Sequence, residues 1–202
     1  MASVLHRISK QYLDSANTPD YDPASWIINP DLSAVIGLLP KYWIIEGDSI
    51  RAATTEERTD IDDLEGFDGL TLDQVRRRVY DSINDFRDSK INAGVIFMGY
   101  EFDSDQRARE NILGMCGALS LGVTLPANFT WRSRNNDDVP MDATELATFG
   151  TSVLTYVSTN FGVSWFHKDT IRDMATDDPL EIIRYDYAGG WPSRSLDGST
   201  LL

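Results

Sequence analysis

Apolar residues recur along this chain at two spacings, and the change of spacing marks its parts. From Thr71 onward, Leu72, Val75, Val79, Ile83 and Phe86 fall three or four apart, the period of one face of an α-helix. Thr71 with Gln74 three residues later forms a capping box, so the pattern predicts a helix from there to about Asn92-Ala93-Gly94. Val95-Ile96-Phe97, Met98-Gly99 and Tyr100-Glu101-Phe102 predict a tight hairpin, with Asp103 or Ser104 placed to cap a helix running from about Asp105 to Leu121. In that helix Ala108, Ile112, Met115 and Leu119 face inward, while Gly114, Gly117 and Ala118 leave room for another backbone. Phe129-Thr130-Trp131 predicts the next strand, and Asp142 with Glu145 opens a last helix with Leu146, Phe149, Val153 and Val157 on one face. Trp165, Phe166, Ile171 and Met174 continue the apolar pattern beyond Gly162, where a bend is expected. One order therefore occurs twice: aromatic strand, polar cap, helix.

Outside this region the pattern is irregular. The stretch to about Ser33 is rich in Pro, Asp, Asn and Ser turn signals, with Trp26-Ile27-Ile28 as a short apolar anchor in otherwise extended chain. Such a segment is expected to lie along a surface because it lacks the apolar residues for a core of its own. Lys41-Tyr42-Trp43-Ile44-Ile45, Glu46-Gly47-Asp48 and Ser49-Ile50-Arg51 predict a hairpin, followed by a Thr54-capped acidic helix and a linker from Gly66 to Gly69. The fold class is α+β: an extended N-terminal docking segment with a hairpin over 1–69, a small helical domain with short hairpins over 70–175, and an irregular docked tail over 176–202. The aromatics of the two ends, Trp26, Tyr42, Trp43, Tyr185, Tyr187 and Trp191, with Ile27 and Ile28, are the interface candidates. They are either anchors for another protein or satellite cores of this chain.

Charge narrows the partners. The chain has 202 residues with 18 Lys and Arg against 32 Asp and Glu, a net charge of −14, and 13 of the acids but only 5 of the bases lie within residues 1–69. A general binder of nucleic-acid backbone is not expected from that balance. Met1 to Lys10 is too polar for a secretion signal, and the sequence lacks an apolar run of membrane-spanning length, so synthesis in a cytoplasm and no membrane insertion are expected.

The chemical motifs are sparse. One cysteine, Cys116, lies at helical spacing among Ile112, Met115 and Leu119 and reads as a small core residue. Asp103 and Asp105 resemble a fragment of a calcium loop but lack its glycine and distal acid, and helix capping accounts for them. His167 follows Trp165-Phe166 on a helix and reads as a packing residue rather than a base. Phosphate loops, nucleophile elbows and paired zinc histidines are absent from the sequence, so no catalytic residue, metal or cofactor is assigned, and a non-enzymatic role is expected.

Tyr100 to Asp105, Ile112 to Gly114, Trp131-Arg132 and Val139 to Met141, in that order, resemble a domain of unknown function associated with bacteriophage tail-fibre genes. Val4-Leu5-His6-Arg7, Asn17 to Tyr21, Trp26 to Val35 and Lys41-Tyr42-Trp43 are similar to the leaders of small phage proteins. The resemblance implies a structural virion protein of a tailed phage: a tail, fibre or adaptor component that contacts other virion proteins and occurs as a homo-oligomer or in many copies. A fibre-assembly chaperone is the alternative, and a cell-envelope hydrolase using Glu101 or Asp103 a remote one.

Overall fold

In the computed structural model, which describes residues 2–198, short antiparallel hairpins lead into capped helices three times along the chain. Strands β4 (Trp43–Glu46) and β5 (Ser49–Ala52) precede α1 (Thr55–Asp63). Strands β6 (Val95–Phe97) and β7 (Tyr100–Phe102) precede α3 (Gln106–Ser120), and β8 (Thr130–Arg132) and β9 (Asp138–Pro140) precede α4 (Ala143–Asp173). The helix starts have local causes. Thr54 and Asp142 each form a full capping box, with Glu57 and Glu145 respectively, and the Asp105 side chain accepts from the Ala108 N–H. The cap before α3 is thus Asp105, not Asp103 or Ser104.

The chain divides into two compact units, Met1–Gly69 and Leu70–Leu202. In the first, β1 (Ala2–His6), β2 (Tyr12–Ala16) and β3 (Trp26–Ile28) form an antiparallel sheet in the order β2-β1-β3, with Leu5 opposite both Tyr12 and Ile27. The opening stretch does run extended, but its strands pair with one another. They also have a core: Leu5, Ile27, Val35 and Ile50 are buried together, with Leu32, Trp43 and Ile45 against them. No single segment is apolar enough to build that cluster, and pooling residues from five segments is what makes it possible.

The second unit is organised on α4. Helix α2 (Leu72–Asn92) buries Val75, Val79, Ile83 and Ile91 and packs against α4, as does α3, while α2 also contacts α5 (Pro179–Ile183). Phe149 of α4 is fully buried, with its ring centroid 5.1 Å from that of Phe97 and 4.9 Å from that of Phe102, so it seats the β6–β7 hairpin on the helix. Helix α4 continues unbroken through Gly162. On the α3 side, a Cβ added to Gly150 would collide with the Cys116 thiol and sit 3.5 Å from Ile112 Cγ2. The tail completes the unit: Ile96 N–H donates to Arg194 O and Leu196 N–H to Ile96 O, each at 2.8 Å, laying residues 194–196 parallel to the edge of β6.

Gly150→Ala should destabilise the second unit by about 1–3 kcal/mol through overpacking, against a helix-propensity gain of about 1 kcal/mol, and Cys116→Ala should recover much of the loss. A double-mutant cycle by urea denaturation measures it, and additive losses would contradict the close approach. In the first unit, hydrogen bonds from Arg51, then from the Thr54 N–H, hold the Glu57 carboxyl at about 2, below its ordinary 4.5. Because the folded value is the lower one, the stabilisation is complete above about pH 4.5 and disappears as the pH falls through about 2. The stability difference between the native chain and Glu57→Gln should shrink across that window in acid titrations followed by circular dichroism.

Candidate functional site

Each polar group singled out in the sequence is used to hold the fold. Glu101 on β7 is the most connected. Its Oε1 accepts from Arg134 Nη1 at 3.0 Å and from Arg194 Nη1 at 2.6 Å. Arg134 also donates to Ala93 O at 2.7 Å, and its Nε lies 3.1 Å from Asp103 Oδ1. Gly94, at φ 92°, permits this crowding, since a Cβ there would stand 2.8 Å from Arg134 Nη1. One carboxylate thereby joins the β6–β7 hairpin, the loop after β8 and the C-terminal tail. Burial pushes the Glu101 carboxyl up, but the two guanidiniums outweigh it and leave the acid below its ordinary range. Glu101 therefore stays ionised at neutral pH and is unsuited to protonate a leaving group.

His167 is the second anchor. It is buried on α4, with Nδ1 2.8 Å from the Tyr185 hydroxyl and Nε2 3.1 Å from Gly189 O. A carbonyl only accepts, so Nε2 carries the proton and Nδ1 accepts from the tyrosine in the neutral ring. Trp191 stands 5.8 Å from the imidazole and 5.3 Å from Phe86, and its indole N–H donates to Tyr187 O. Tyr187 makes an edge contact with Phe86. The three tail aromatics expected at an interface thus clasp the tail to its own unit. Cys116 lies under Gly150, where burial raises its thiol pKa. Among the described residues, no group of three or more His, Cys, Asp or Glu is arranged to hold a metal ion. No helix among them is long and apolar enough to cross a membrane.

In the first unit, Ile27 is buried in the core and Ile28 is half-buried. Trp26 lies edge-on to His6 and Tyr21, at 4.8 and 5.0 Å. The Trp43 indole N–H donates to Leu38 O, and the Tyr42 hydroxyl donates to Asp62, which also pairs with Lys41. The structure brings Trp43 and Ile27 to one core, while Tyr42 fastens α1. The most exposed apolar positions are others: Ile8, Ile36 and Leu39. Ile8 borders a surface hollow of about 560 Å³ with Pro40, Ile61 and Leu64.

The larger discrepancy is on α4. Trp165 and Phe166, expected to continue the inward pattern, are 60% and 64% exposed, and Leu154 is 50% exposed. The buried track runs instead through Tyr156, Asn160, Ser164, His167 and Ile171. The signal is present in the helix angle: at 100° per residue Asn160, Ser164 and His167 fall within about 60° of Phe149, whereas Trp165 falls about 160° away. Hydrophobicity alone favours the aromatic pair, whereas helix geometry favours the polar row.

The model of one protein family, a domain of unknown function (DUF4376), matches residues 74–188. No curated protein and no solved structure matches the chain.

Removing the Glu101 carboxylate leaves two guanidiniums facing one another beside the tail. Glu101→Ala should weaken the tail's attachment by about 2–3 kcal/mol, the loss of charge-assisted hydrogen bonds. Hydrogen exchange at the Ile96 and Leu196 amides should rise sharply while the α2 amides keep their protection, and unchanged exchange at both would contradict this role.

Proposed function

The chain belongs to the DUF4376 family, and we propose that it is a structural protein of a tailed-bacteriophage particle, made in the host cytoplasm and built into the virion in several copies. On this reading it is a tail, fibre or adaptor component whose partners are other virion proteins. The observation that carries the proposal is the use made of the polar groups. Glu101, Asp103 and His167 are each bound into contacts that fasten a hairpin, a loop or the tail, while exposed apolar side chains remain in both units. That distribution favours a protein whose work is holding and contacting. The order of the Phe102 to Asp105, Trp131-Arg132 and Val139 to Met141 segments, and its resemblance to tail-fibre-associated domains, supplies the phage setting.

A mass-spectrometric inventory of purified particles tests the proposal. The chain should be present at a fixed ratio to the other structural proteins. Absence from mature particles would overturn it, and absence combined with a requirement for fibre assembly would identify a chaperone.

A further inference from the structure

The multi-copy part of that reading leaves open how two copies meet, and α4 carries an answer. From Leu146 to His167 the helix contains no Asp, Glu, Lys or Arg, in a chain with a net charge of −14. At 100° per residue, Ala147, Thr151, Leu154, Ser158, Gly162 and Trp165 fall within about 80° of one another. All six are exposed. Two copies of so acidic a protein repel, and this strip lets them approach without opposing like charges.

The strip is also self-complementary in size. Leu154 and Gly162 each lie four residues from Ser158, and Thr151 and Trp165 each lie seven. In both pairs one member is bulky and the other small. Among the described residues nothing lies within 4 Å of where a Gly162 Cβ would be, and the hollow over it, about 420 Å³, is walled by Thr159, Val163, Phe166 and Gly189. An interior helical glycine costs about 1 kcal/mol relative to alanine. None of the described residues uses the space it leaves. A twofold axis requires that each residue meet its counterpart reciprocally, and an antiparallel pair centred on Ser158 does so with large against small at each level. A parallel pair would set Trp165 on Trp165 and leave Gly162 facing Gly162. The antiparallel arrangement also opposes the helix dipoles favourably.

We propose that the exposed uncharged face of α4 is the contact between two copies of this chain, packed antiparallel about Ser158, with Leu154 of each seated over Gly162 of the other and Trp165 over Thr151. The strip is about 27 Å long and about 12 Å wide, so two copies cover about 650 Å² of helix surface, which makes the pair a weak one that concentration in an assembly would favour.

Sedimentation of the full chain tests the contact and cysteine cross-linking its geometry. The weight-average mass should rise from 22.7 kDa towards twice that value as concentration increases to about 300 µM. Leu154→Lys, at a half-exposed position, should stay at the lower mass with unchanged helical circular dichroism. Under mild oxidation, Ser158→Cys should give a disulfide mapped to position 158 in both copies. Ala147→Cys should not, because the two copies of that position lie about 33 Å apart, well beyond disulfide reach. A chain that stays monomeric and fails to cross-link at 158 would overturn the inference. So would dimerisation unaffected by Leu154→Lys, or cross-linking at 147 as efficient as at 158. None of these results bears on the chain's presence in particles, so this contact and the virion role stand or fall separately.

Discussion

The close approach of α3 to α4 at Gly150 governs the C-terminal unit. Because that position lacks a side chain, Cys116 and Ile112 reach the α4 backbone, and α4 can then turn Phe149 towards the β6–β7 hairpin, where it meets Phe97 and Phe102. With that hairpin seated, the edge of β6 is positioned to receive residues 194–196. A side chain at 150 would hold the helices apart, and a packed interior cannot absorb such a displacement without opening voids elsewhere.

The hairpin-to-helix step is the recurring local solution. At each of the three occurrences the strands are short, three or four residues, and would be marginal alone. Each therefore needs packing from elsewhere, which the β6–β7 hairpin receives from Phe149 of α4, and each is followed by a helix whose first turn is satisfied by a side-chain cap. Longer-range polar bonds then tie these modules together. Arg51 joins Glu46 and Glu57 across β4, β5 and α1. Glu101 joins β7 to the loop after β8 and to the tail. These ion pairs are directional, so they specify which surfaces meet more than they add to stability.

The same economy explains the functional reading. Side chains that might do chemistry elsewhere are committed here to holding segments in place, and the tail aromatics that resemble binding anchors are committed to Phe86 and His167. What remains for a partner is exposed apolar surface, including Ile8, Ile36 and Leu39 in the first unit and Leu121, Val123, Leu154, Trp165 and Phe166 in the second. In a chain of this charge, such surface is where association meets least electrostatic resistance.

Local chemistry determined much by itself. The capping boxes at Thr71 and Asp142, the two-residue turn at Met98-Gly99 and the helical spacing from Leu72 to Ile83 depend only on neighbours in sequence, and the corresponding elements are where those signals place them. Which aromatics are buried was decided by the tertiary structure, because burial depends on residues distant in sequence. Trp43 and Ile27 share a core only once β1, β3 and the β4–β5 hairpin are assembled. Trp191 is covered only because Phe86 and His167 lie on two other helices. On α4 the inward face passes through Asn160, Ser164 and His167: Asn160 and Ser164 donate to carbonyls of their own helix, Tyr156 O and Phe161 O, and His167 finds its partners in the tail. Trp165 and Phe166 were left outside by the same rotation, and a periodicity weighted by hydrophobicity cannot represent a helix whose buried side is partly polar.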